Sequence, residues 1–372
     1  MKYIGNKFRL LPFIDKAITQ GKLPTKGTFC DIFSGTTNVA QFYKKKGYKL
    51  ITCDIMYYSY VFQHAYIKNN SYPSFSTLLQ REENIIKARK QIQSSTLFND
   101  DANKDNLKAV LHYLNNLPGE ESFIYLNYAP GGSRHSEYQR QYFRDENAKR
   151  VDAIRNRIQL WKDNNWLTEN EFFVLLAPLI DAADFVANIS GTYGAFLKIW
   201  RSMALKHLTL LTPKLTESDL KHEIYLGDAN KLIRNIKCDI LYLDPPYNSR
   251  QYAPNFHILE TIARWDNPKI YGKTGLRPYD GQKSDYNVKG KCEKKFADLV
   301  KNADCKYILL SYNNEGIIKD KTIKDVLSEK GDLKIFTQPY RRFRTDSESE
   351  NRHYKVANDI VTENLYLVKV KN

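Results

Sequence analysis

Short runs of apolar, β-branched and aromatic residues recur along the chain and alternate with helical stretches. The runs that we predict to be strands are residues 28–33, 49–54, 223–226, 239–243, 307–311, 333–337 and 365–370. Strands that alternate with helices are typical of a mostly parallel sheet covered on both faces. The last two runs are joined by a polar, arginine-rich segment without a helical pattern, which favours an antiparallel hairpin. The sequence therefore predicts an α/β fold whose seven-stranded sheet has an antiparallel last strand.

The stretch from residue 71 to residue 209 interrupts this alternation and is predicted to be mainly helical. Apolar residues recur at helical spacing from Val151 to Trp161, which indicates an amphipathic helix. The segment EFFVLLAPLIDAADFVANI is apolar nearly all round, as expected of a buried helix. We therefore predict a sheet domain formed by residues 1–70 and 210–372, with residues 71–209 as a large helical insertion.

The charge balance points to a polyanionic partner. Lysine and arginine number 57 against 42 acidic residues, giving a net charge of +15. Such an excess favours nucleic acid binding, because each neutralised phosphate releases condensed counterions. The 26 tyrosines and 18 phenylalanines add aromatic faces on which bases can stack, although most of these rings are expected in the core. A generally basic surface is the alternative interpretation, since net charge says little about fold.

Other features argue against metal, disulfide and membrane proteins. The five cysteines form no C-x-x-C pair and the seven histidines no H-x-x-x-H pair, so we predict neither a disulfide framework nor a metal site. No apolar run approaches the ~20 residues of a membrane span. The N-terminal segment MKYIGNKFRLLPFI lacks the apolar core and cleavage site of a secretory signal. We expect a soluble, cytoplasmic protein with no membrane partner.

The sharpest motif is Asp244-Pro245-Pro246-Tyr247, directly after the predicted strand CDILYL. A rigid two-proline turn there presents the Asp244 carboxylate at the carboxyl edge of the sheet, where open α/β folds bind ligands. An adenine amino nitrogen is a poor nucleophile, because its lone pair is delocalised into the ring. A carboxylate and a backbone carbonyl can accept its two N–H groups and draw it toward a tetrahedral form, while Tyr247 offers a flat face to the base. A plain proline turn is the alternative.

A second motif, DIFSGTTN, begins at Asp31 and lies between the first predicted strand and its helix. The backbone must pass close to a ligand here, and the helix N-terminus offers free N–H donors. Asp54 ends the next strand, at the place where an acid binds ribose hydroxyls in dinucleotide-binding folds. A strand-ending aspartate that only caps a helix is the alternative. The pattern is therefore typical of a nucleoside-containing cofactor but not specific to one.

The order of these motifs resembles a known family. KYIGNK, DIFSGT, GDA and DPPY follow one another, and NYAP, ENAKRVDAIRNRI and ANISGTYGAFLKIW lie between them. The chain resembles alpha-class, Dam-like adenine DNA methyltransferases over essentially its whole length, and is most similar to the FokI-type branch. The resemblance implies a Rossmann-like class I methyltransferase fold and S-adenosylmethionine as cofactor. It also implies methylation of the exocyclic amine of adenine in double-stranded DNA, with a restriction endonuclease of the same system as a partner.

The motifs and the resemblance together assign a set of residues to the cofactor pocket. These residues are Tyr3, Lys7, Asp31, Phe33, Gly35, Asp54, Asp228 and Asp244. Asp54 would hold the ribose and Asp228 the adenine ring, while the residues from Asp244 to Tyr247 would bind the target base. The chain departs from the family at Thr37, where glycine is usual. Threonine fits there if its φ is negative.

Basic and aromatic segments are the candidate DNA contacts. Residues 131–150 and 340–355 combine arginine with tyrosine, whereas the run at 289–295 is expected to be ordinary surface. In the family, target recognition lies between the cofactor loop and DPPY, which points to residues 71–209. We expect base-edge contacts from the insertion and phosphate contacts from the C-terminal segment. The predicted DNA-binding residues are Arg134, Arg140, Arg341, Arg342 and Arg344.

Two other functions compete with adenine methylation of DNA. A related enzyme could methylate RNA adenine, DNA cytosine or a protein glutamine. A motif beginning with Asn would favour RNA or glutamine and one beginning with Ser would favour cytosine, so the Asp244 start favours DNA adenine. A protein that keeps the fold only to bind DNA is the alternative from another class, suggested by Thr37 alone. Cofactor binding would separate the two.

Overall fold

The computed structural model describes residues 7–95, 101–246, 248–341 and 360–371; the side chains of 91–95 and 341 are not described. The chain forms two compact units. Among the described residues, the sheet unit contains 7–63, Ser218–Ala253 and those from Asp280 onward. The helical unit contains His64–Glu217 and Pro254–Tyr279.

The sheet unit is built on one seven-stranded sheet with the order β3-β2-β1-β4-β5-β7-β6. Its strands are β1 (Thr28–Asp31), β2 (Lys49–Asp54), β3 (Glu223–Leu226), β4 (Lys237–Leu243), β5 (Asp304–Asn313), β6 (Gly331–Arg341) and β7 (Ile360–Val370). The pairs from β3 to β5 are parallel. The last strand, β7, is antiparallel to both β5 and β6. The predicted α/β fold with an antiparallel last strand is confirmed.

Helices pack around this sheet and form most of the other unit. In chain order they are α1 (Leu11–Gln20), α2 (Asn38–Lys45), α3 (Tyr57–Phe62), α4 (Ser76–Arg81), α5 (Glu83–Ser95), α6 (Ala102–Asn115), α7 (Phe123–Tyr128), α8 (Asp145–Asp163), α9 (Glu169–Val186), α10 (Ala229–Leu232), α11 (Tyr252–Asn255), α12 (His257–Arg264), α13 (Cys292–Asn302) and α14 (Asp320–Lys330). Short 3₁₀ turns occupy Phe8–Leu10, Ile233–Asn235, Asp280–Gln282 and Asp285–Asn287, and a π-helical turn occupies Gln63–Lys68. Among the described residues, no helix has both the length and the apolar character needed to cross a membrane.

Burial on both faces explains why the strands could be predicted from the sequence. Phe29 and Cys30 of β1 are fully buried although they point to opposite faces. Phe29 stacks on Tyr43 of α2, with ring centroids 4.2 Å apart, and so fixes that helix on its face of the sheet. The strands β6 and β7 extend beyond the predicted runs, because their backbone ladder continues through polar residues as far as the pair Arg341 and Ile360.

The helical unit has its own core. The two predicted helices are present as α8 and α9, and α9 begins with a capping box formed by Thr168 and Glu171. Arg155 of α8 is buried and donates to the carbonyls of Ile262 and Ala263. These bonds tie α12 to α8 and explain why Pro254–Tyr279, which we had assigned to the sheet domain, groups with the helices.

The parallel strands place their carboxyl ends at one edge of the sheet. The strand order reverses between β1 and β4, because the chain continues from β1 to β2 on one side and from β4 to β5 on the other. Open α/β sheets bind ligands in the crevice at such a switch point. The predicted acids Asp31, Asp54 and Asp244 therefore share this edge.

Candidate active site

Asp31 lies at the switch point, at the end of β1 and in register with Tyr242 of β4. Its side chain is 2% exposed, and Oδ1 has no hydrogen-bond partner among the described residues. Burial raises its pKa well above the usual range, and the negative charges of Asp244 and Asp54 raise the pKa further. A buried oxygen left without a donor is uncommon and marks a place where a ligand donor fits.

Asp244 follows β4 and has a cation beside it. The Nζ atom of Lys7 lies 3.2 Å from Asp244 Oδ1 and 3.9 Å from Glu363 Oε2, and the Lys7 side chain is only 4% exposed. Burial raises the pKa of Asp244 to about 6; Lys7 acts against this shift and Glu363 adds to it. Lys7, predicted to line the cofactor pocket, is thus a direct neighbour of the carboxylate of the DPPY motif. Glu363 was not identified from the sequence.

The rest of the DPPY motif is only partly described. Pro245 is buried and Pro246 half-buried, so the turn after β4 is packed into the protein. Tyr247 lies outside the described residues, and its predicted stacking role stays a prediction.

The cofactor loop is held by Asp54. The backbone N–H of Gly35 donates to Asp54 Oδ2 at 2.8 Å, and that of Met56 donates to Oδ1 at 2.9 Å. Gly35 has a φ of 49°, a left-handed conformation that glycine adopts without strain. The structure thus brings together the two motifs that the sequence analysis paired, the glycine loop and the acid after β2.

Thr37 departs from the expected conformation. Its φ is +61°, not negative, and its side chain is fully buried. The hydroxyl donates to the carbonyl of Thr36 at 2.7 Å and accepts from Gln41 Nε2 at 2.9 Å. Left-handed backbone costs a β-branched residue roughly 1–2 kcal/mol, which these bonds help to offset. The backbone at this position therefore has the geometry that glycine would adopt.

Asp228 begins the short helix α10 and caps it. Its carboxylate accepts a hydrogen bond from the Asn230 backbone N–H at 2.8 Å. Asp228 therefore has a helix-capping role in this structure, and its contact with the cofactor's adenine stays a prediction. The predicted Phe33 packs edge-to-face on Tyr286, with ring centroids 5.2 Å apart. The Tyr286 hydroxyl donates to Asn230 Oδ1 at 2.9 Å. Tyr286, which the sequence analysis did not single out, therefore links the two cofactor motifs.

The predicted DNA-binding arginines differ in their surroundings. Arg134 is exposed. Arg140 is 6% exposed, and its guanidinium donates to the carbonyls of Lys273, Asn127 and Gly272 at 3.1, 3.3 and 2.9 Å. With those donors in use, Arg140 is a structural anchor in this structure and is not placed to contact base edges.

The structure does not describe the other predicted residues. Tyr3, Arg342 and Arg344 lie outside the described residues, as does the side chain of Arg341.

The segment anchored by Arg140 is a small hairpin. Tyr271 and Leu276 exchange backbone hydrogen bonds of 2.8 and 2.9 Å. The Tyr128 hydroxyl donates to the Gly275 carbonyl at 2.8 Å, and a Cβ at Gly275 would lie 2.8 Å from the Tyr128 ring. The hairpin is therefore braced from inside while Tyr271, 51% exposed, stands at its surface.

The doubly wound sheet, its glycine loop and the Asp-Pro-Pro turn at the switch point define a Rossmann-like methyltransferase. Residues 3–326 match the family model described as D12 class N6 adenine-specific DNA methyltransferase. The chain belongs to this family, and the resemblance inferred from its motifs is confirmed.

Curated relatives agree with this assignment. The type II methyltransferase M.FokI of Planomicrobium okeanokoites is 39% identical over 94% of this chain and 50% of its own length. The modification methylase StsI of Streptococcus sanguinis is 37% identical over 95% of this chain and 50% of its own length. The type II methyltransferase M.NlaIII of Neisseria lactamica is 39% identical, with 95% and 96% covered. The chain thus spans about half the length of two of these relatives and nearly all of the third.

The strain at Thr37 can be measured by comparing two variants. Thr37→Ala and Thr37→Gly both remove the hydroxyl bonds, but only glycine relieves the positive φ. We expect Thr37→Gly to be more stable than Thr37→Ala by about 1 kcal/mol in urea unfolding. The neighbouring Thr36 is the control, because its φ is not positive. There alanine should be the more stable substitution. Equal stabilities of the two Thr37 variants would contradict the left-handed geometry.

Proposed function

We propose that this chain is an S-adenosylmethionine-dependent enzyme that methylates the exocyclic amine of adenine in double-stranded DNA. The observation that carries the proposal is the Asp244 carboxylate, held at the switch point of the sheet beside the buried Lys7. The chain's family is named for this reaction. We further propose that it works in the cytoplasm as the modification enzyme of a restriction–modification system, with a restriction endonuclease as its functional partner.

The residues at the switch point fit the proposed cofactor. S-adenosylmethionine carries an ammonium group and ribose hydroxyls, which are hydrogen-bond donors, and it supplies an electrophilic methyl group when bound. Asp31 has a buried oxygen that receives no hydrogen bond from the described residues, and Asp54 is a second carboxylate at the same edge. A cation near Asp31 would favour its ionised form, which burial alone disfavours. Phe33 and the Gly35 backbone would form the floor of the pocket, with Asp228 beside the adenine ring.

In the proposed mechanism, Asp244 orients the target nitrogen. Its carboxylate accepts one N–H of the adenine amine and the Pro245 carbonyl accepts the other, while Tyr247 stacks on the base. Lys7 acts against the effect of burial and so keeps Asp244 largely ionised at neutral pH. Asp244 would also hold the proton that the nitrogen gives up once the cofactor's S–CH3 bond has broken and its sulfur has left as a neutral thioether. Rate acceleration then comes mainly from positioning and electrostatics.

The adenine must leave the duplex to reach this edge, at a cost of a few kcal/mol in unstacking. We propose that DNA contacts made by the helical unit offset this free energy of unstacking. Arg134 and the braced hairpin at Tyr271 offer an exposed cation and an exposed ring within that unit. The phosphate contacts predicted for Arg341, Arg342 and Arg344 remain part of the proposal.

The role of Asp244 is tested by Asp244→Ala. We expect the variant to lose methyl transfer while cofactor binding stays largely intact, because the carboxylate serves the target amine. Transfer of tritium from labelled cofactor to DNA and titration calorimetry are the two measurements. Asp54→Ala is the matched variant and should weaken cofactor binding by roughly 1–3 kcal/mol. Turnover at the wild-type rate in Asp244→Ala would overturn the mechanism. Wild-type protein that binds DNA but no cofactor would favour the pure DNA-binding alternative.

The charge state of Asp244 predicts a pH dependence. Because the ionised carboxylate is the acceptor, the single-turnover rate at saturating cofactor should fall as the pH drops through about 6. Lys7→Met removes the cation that lowers this pKa, so the midpoint should move to higher pH. Glu363→Gln removes a like charge, so the midpoint should move to lower pH. Midpoints that stay in place in both variants would show that another group controls the rate.

DNA recognition is tested by contrasting two arginines. Methylome sequencing of DNA from cells that express the protein first supplies the recognised sequence. Arg134→Ala should then reduce the discrimination between cognate and single-mismatch duplexes, by about 1–3 kcal/mol if the contact is bidentate. Arg140→Ala should instead lower the stability of the protein, because three carbonyls lose their donor. Competition binding and thermal unfolding are the measurements. Full discrimination in Arg134→Ala would place the reading element elsewhere.

A further inference from the structure

A four-residue turn, Ser284 to Asn287, bonds to the loop that follows the DPPY motif. Asn287 is 4% exposed, and its Nδ2 donates to the carbonyls of Asn248 and Arg250 at 2.7 and 3.0 Å. One buried side chain therefore donates to two carbonyls of the loop formed by residues 248–251, which belongs to no helix or strand.

The same turn makes a second, reciprocal attachment. Gln251 Nε2 donates to the Ser284 carbonyl at 2.9 Å, and the Ser284 N–H donates to Gln251 Oε1 at 2.8 Å. The amide of Gln251 thus pairs with the backbone as a neighbouring strand would. The conformation of residues 248–251 depends on these bonds, because no helix or strand holds this segment.

The turn also reaches the segments assigned to the cofactor. Tyr286 is 4% exposed, packs edge-to-face on Phe33, and donates its hydroxyl to Asn230. Asn230 in turn donates its backbone N–H to Asp228. Consecutive residues of one turn therefore contact the proposed cofactor motifs, through Tyr286, and the loop after the DPPY motif, through Asn287.

We propose that the 284–287 turn positions the 248–251 loop, which directly follows the proposed base-binding motif, relative to the cofactor motifs. Asn287 is the positioning residue for the loop and Tyr286 is the positioning residue for the cofactor motifs. This inference rests on the proposed function. The two residues are adjacent in a 3₁₀ turn capped by the Ser284 side chain, which accepts the Tyr286 N–H at 3.3 Å. Each side therefore has its own anchor residue on one short, capped piece of backbone.

The geometric demand of in-line transfer explains why such a brace matters. Reacting atoms must be held within a narrow range of distance and angle, and a displacement of about 1 Å can cost about 100-fold in rate. Neither residue needs to touch the substrate to have this effect. Asn287 and Tyr286 are positioning residues in this proposal.

The experiment separates the two arms of the turn. Asn287→Leu keeps the volume but removes both donors, and should lower the single-turnover rate at saturating S-adenosylmethionine by about 10- to 100-fold. The dissociation constant of Asn287→Leu for the cofactor should stay within about twofold of the wild-type value. Tyr286→Phe keeps the ring but removes the hydroxyl, and should weaken cofactor binding by about 3- to 10-fold while the saturated rate stays near wild type. Rates are measured by tritium transfer to DNA that lacks adenine methylation.

Two further readouts distinguish positioning from general damage. Amide hydrogen exchange at residues 248–251 should accelerate in Asn287→Leu and stay unchanged in Tyr286→Phe. Asn287→His restores one donor and should recover part of the lost rate. Both variants losing rate and affinity together, in proportion to a fall in melting temperature, would overturn the proposal. Wild-type protein that transfers no methyl group would refute the proposed function instead, and the exchange measurement would still decide on the turn.

Discussion

The buried ion pair between Lys7 and Asp244 is the interaction on which the site depends. A carboxylate taken out of water loses several kcal/mol of solvation, which a close partner of opposite charge helps to offset. Lys7 supplies that partner from the start of the described chain, and Glu363 brings the last strand to the same point. Three distant parts of the sequence therefore meet around one carboxylate. The same contact lies beside the Asp244 carboxylate and favours its ionised form.

The positions of the strands along the chain were predictable because the pattern that marks a buried strand is local in the sequence. A strand buried on both faces must be apolar throughout, and the runs around Phe29 and Leu241 show this directly. The full length of β6 and β7 was not predictable, because backbone pairing between them continues through polar residues such as Asn364. The grouping of Pro254–Tyr279 with the helices was also hidden. This grouping depends on buried arginines that donate to carbonyls far away in the sequence, and the spacing of apolar residues does not reveal such bonds.

The candidate site shows the same division. Asp31, Asp54 and Asp244 were placed correctly at one edge, because parallel strands carry their carboxyl ends together. The contacts that these three carboxylates make with the rest of the chain could not be predicted from the sequence. Arg140 illustrates the reason: in the sequence, an arginine in a glycine-bearing loop looks the same whether it faces solvent or three carbonyls. The left-handed φ of Thr37 was missed because threonine rarely adopts it.

The helical unit is assembled from two separated stretches of chain, His64–Glu217 and Pro254–Tyr279. Arg155 and Arg140 join these stretches through backbone carbonyls of the second. If specificity among relatives changes by exchange of this unit, a single contiguous graft is not enough. Both stretches have to be exchanged together. Otherwise the arginines of one protein have to bond to the backbone carbonyls of another. The path of the chain therefore constrains recombination, because an intact exchange of this unit needs two segments to be replaced at once.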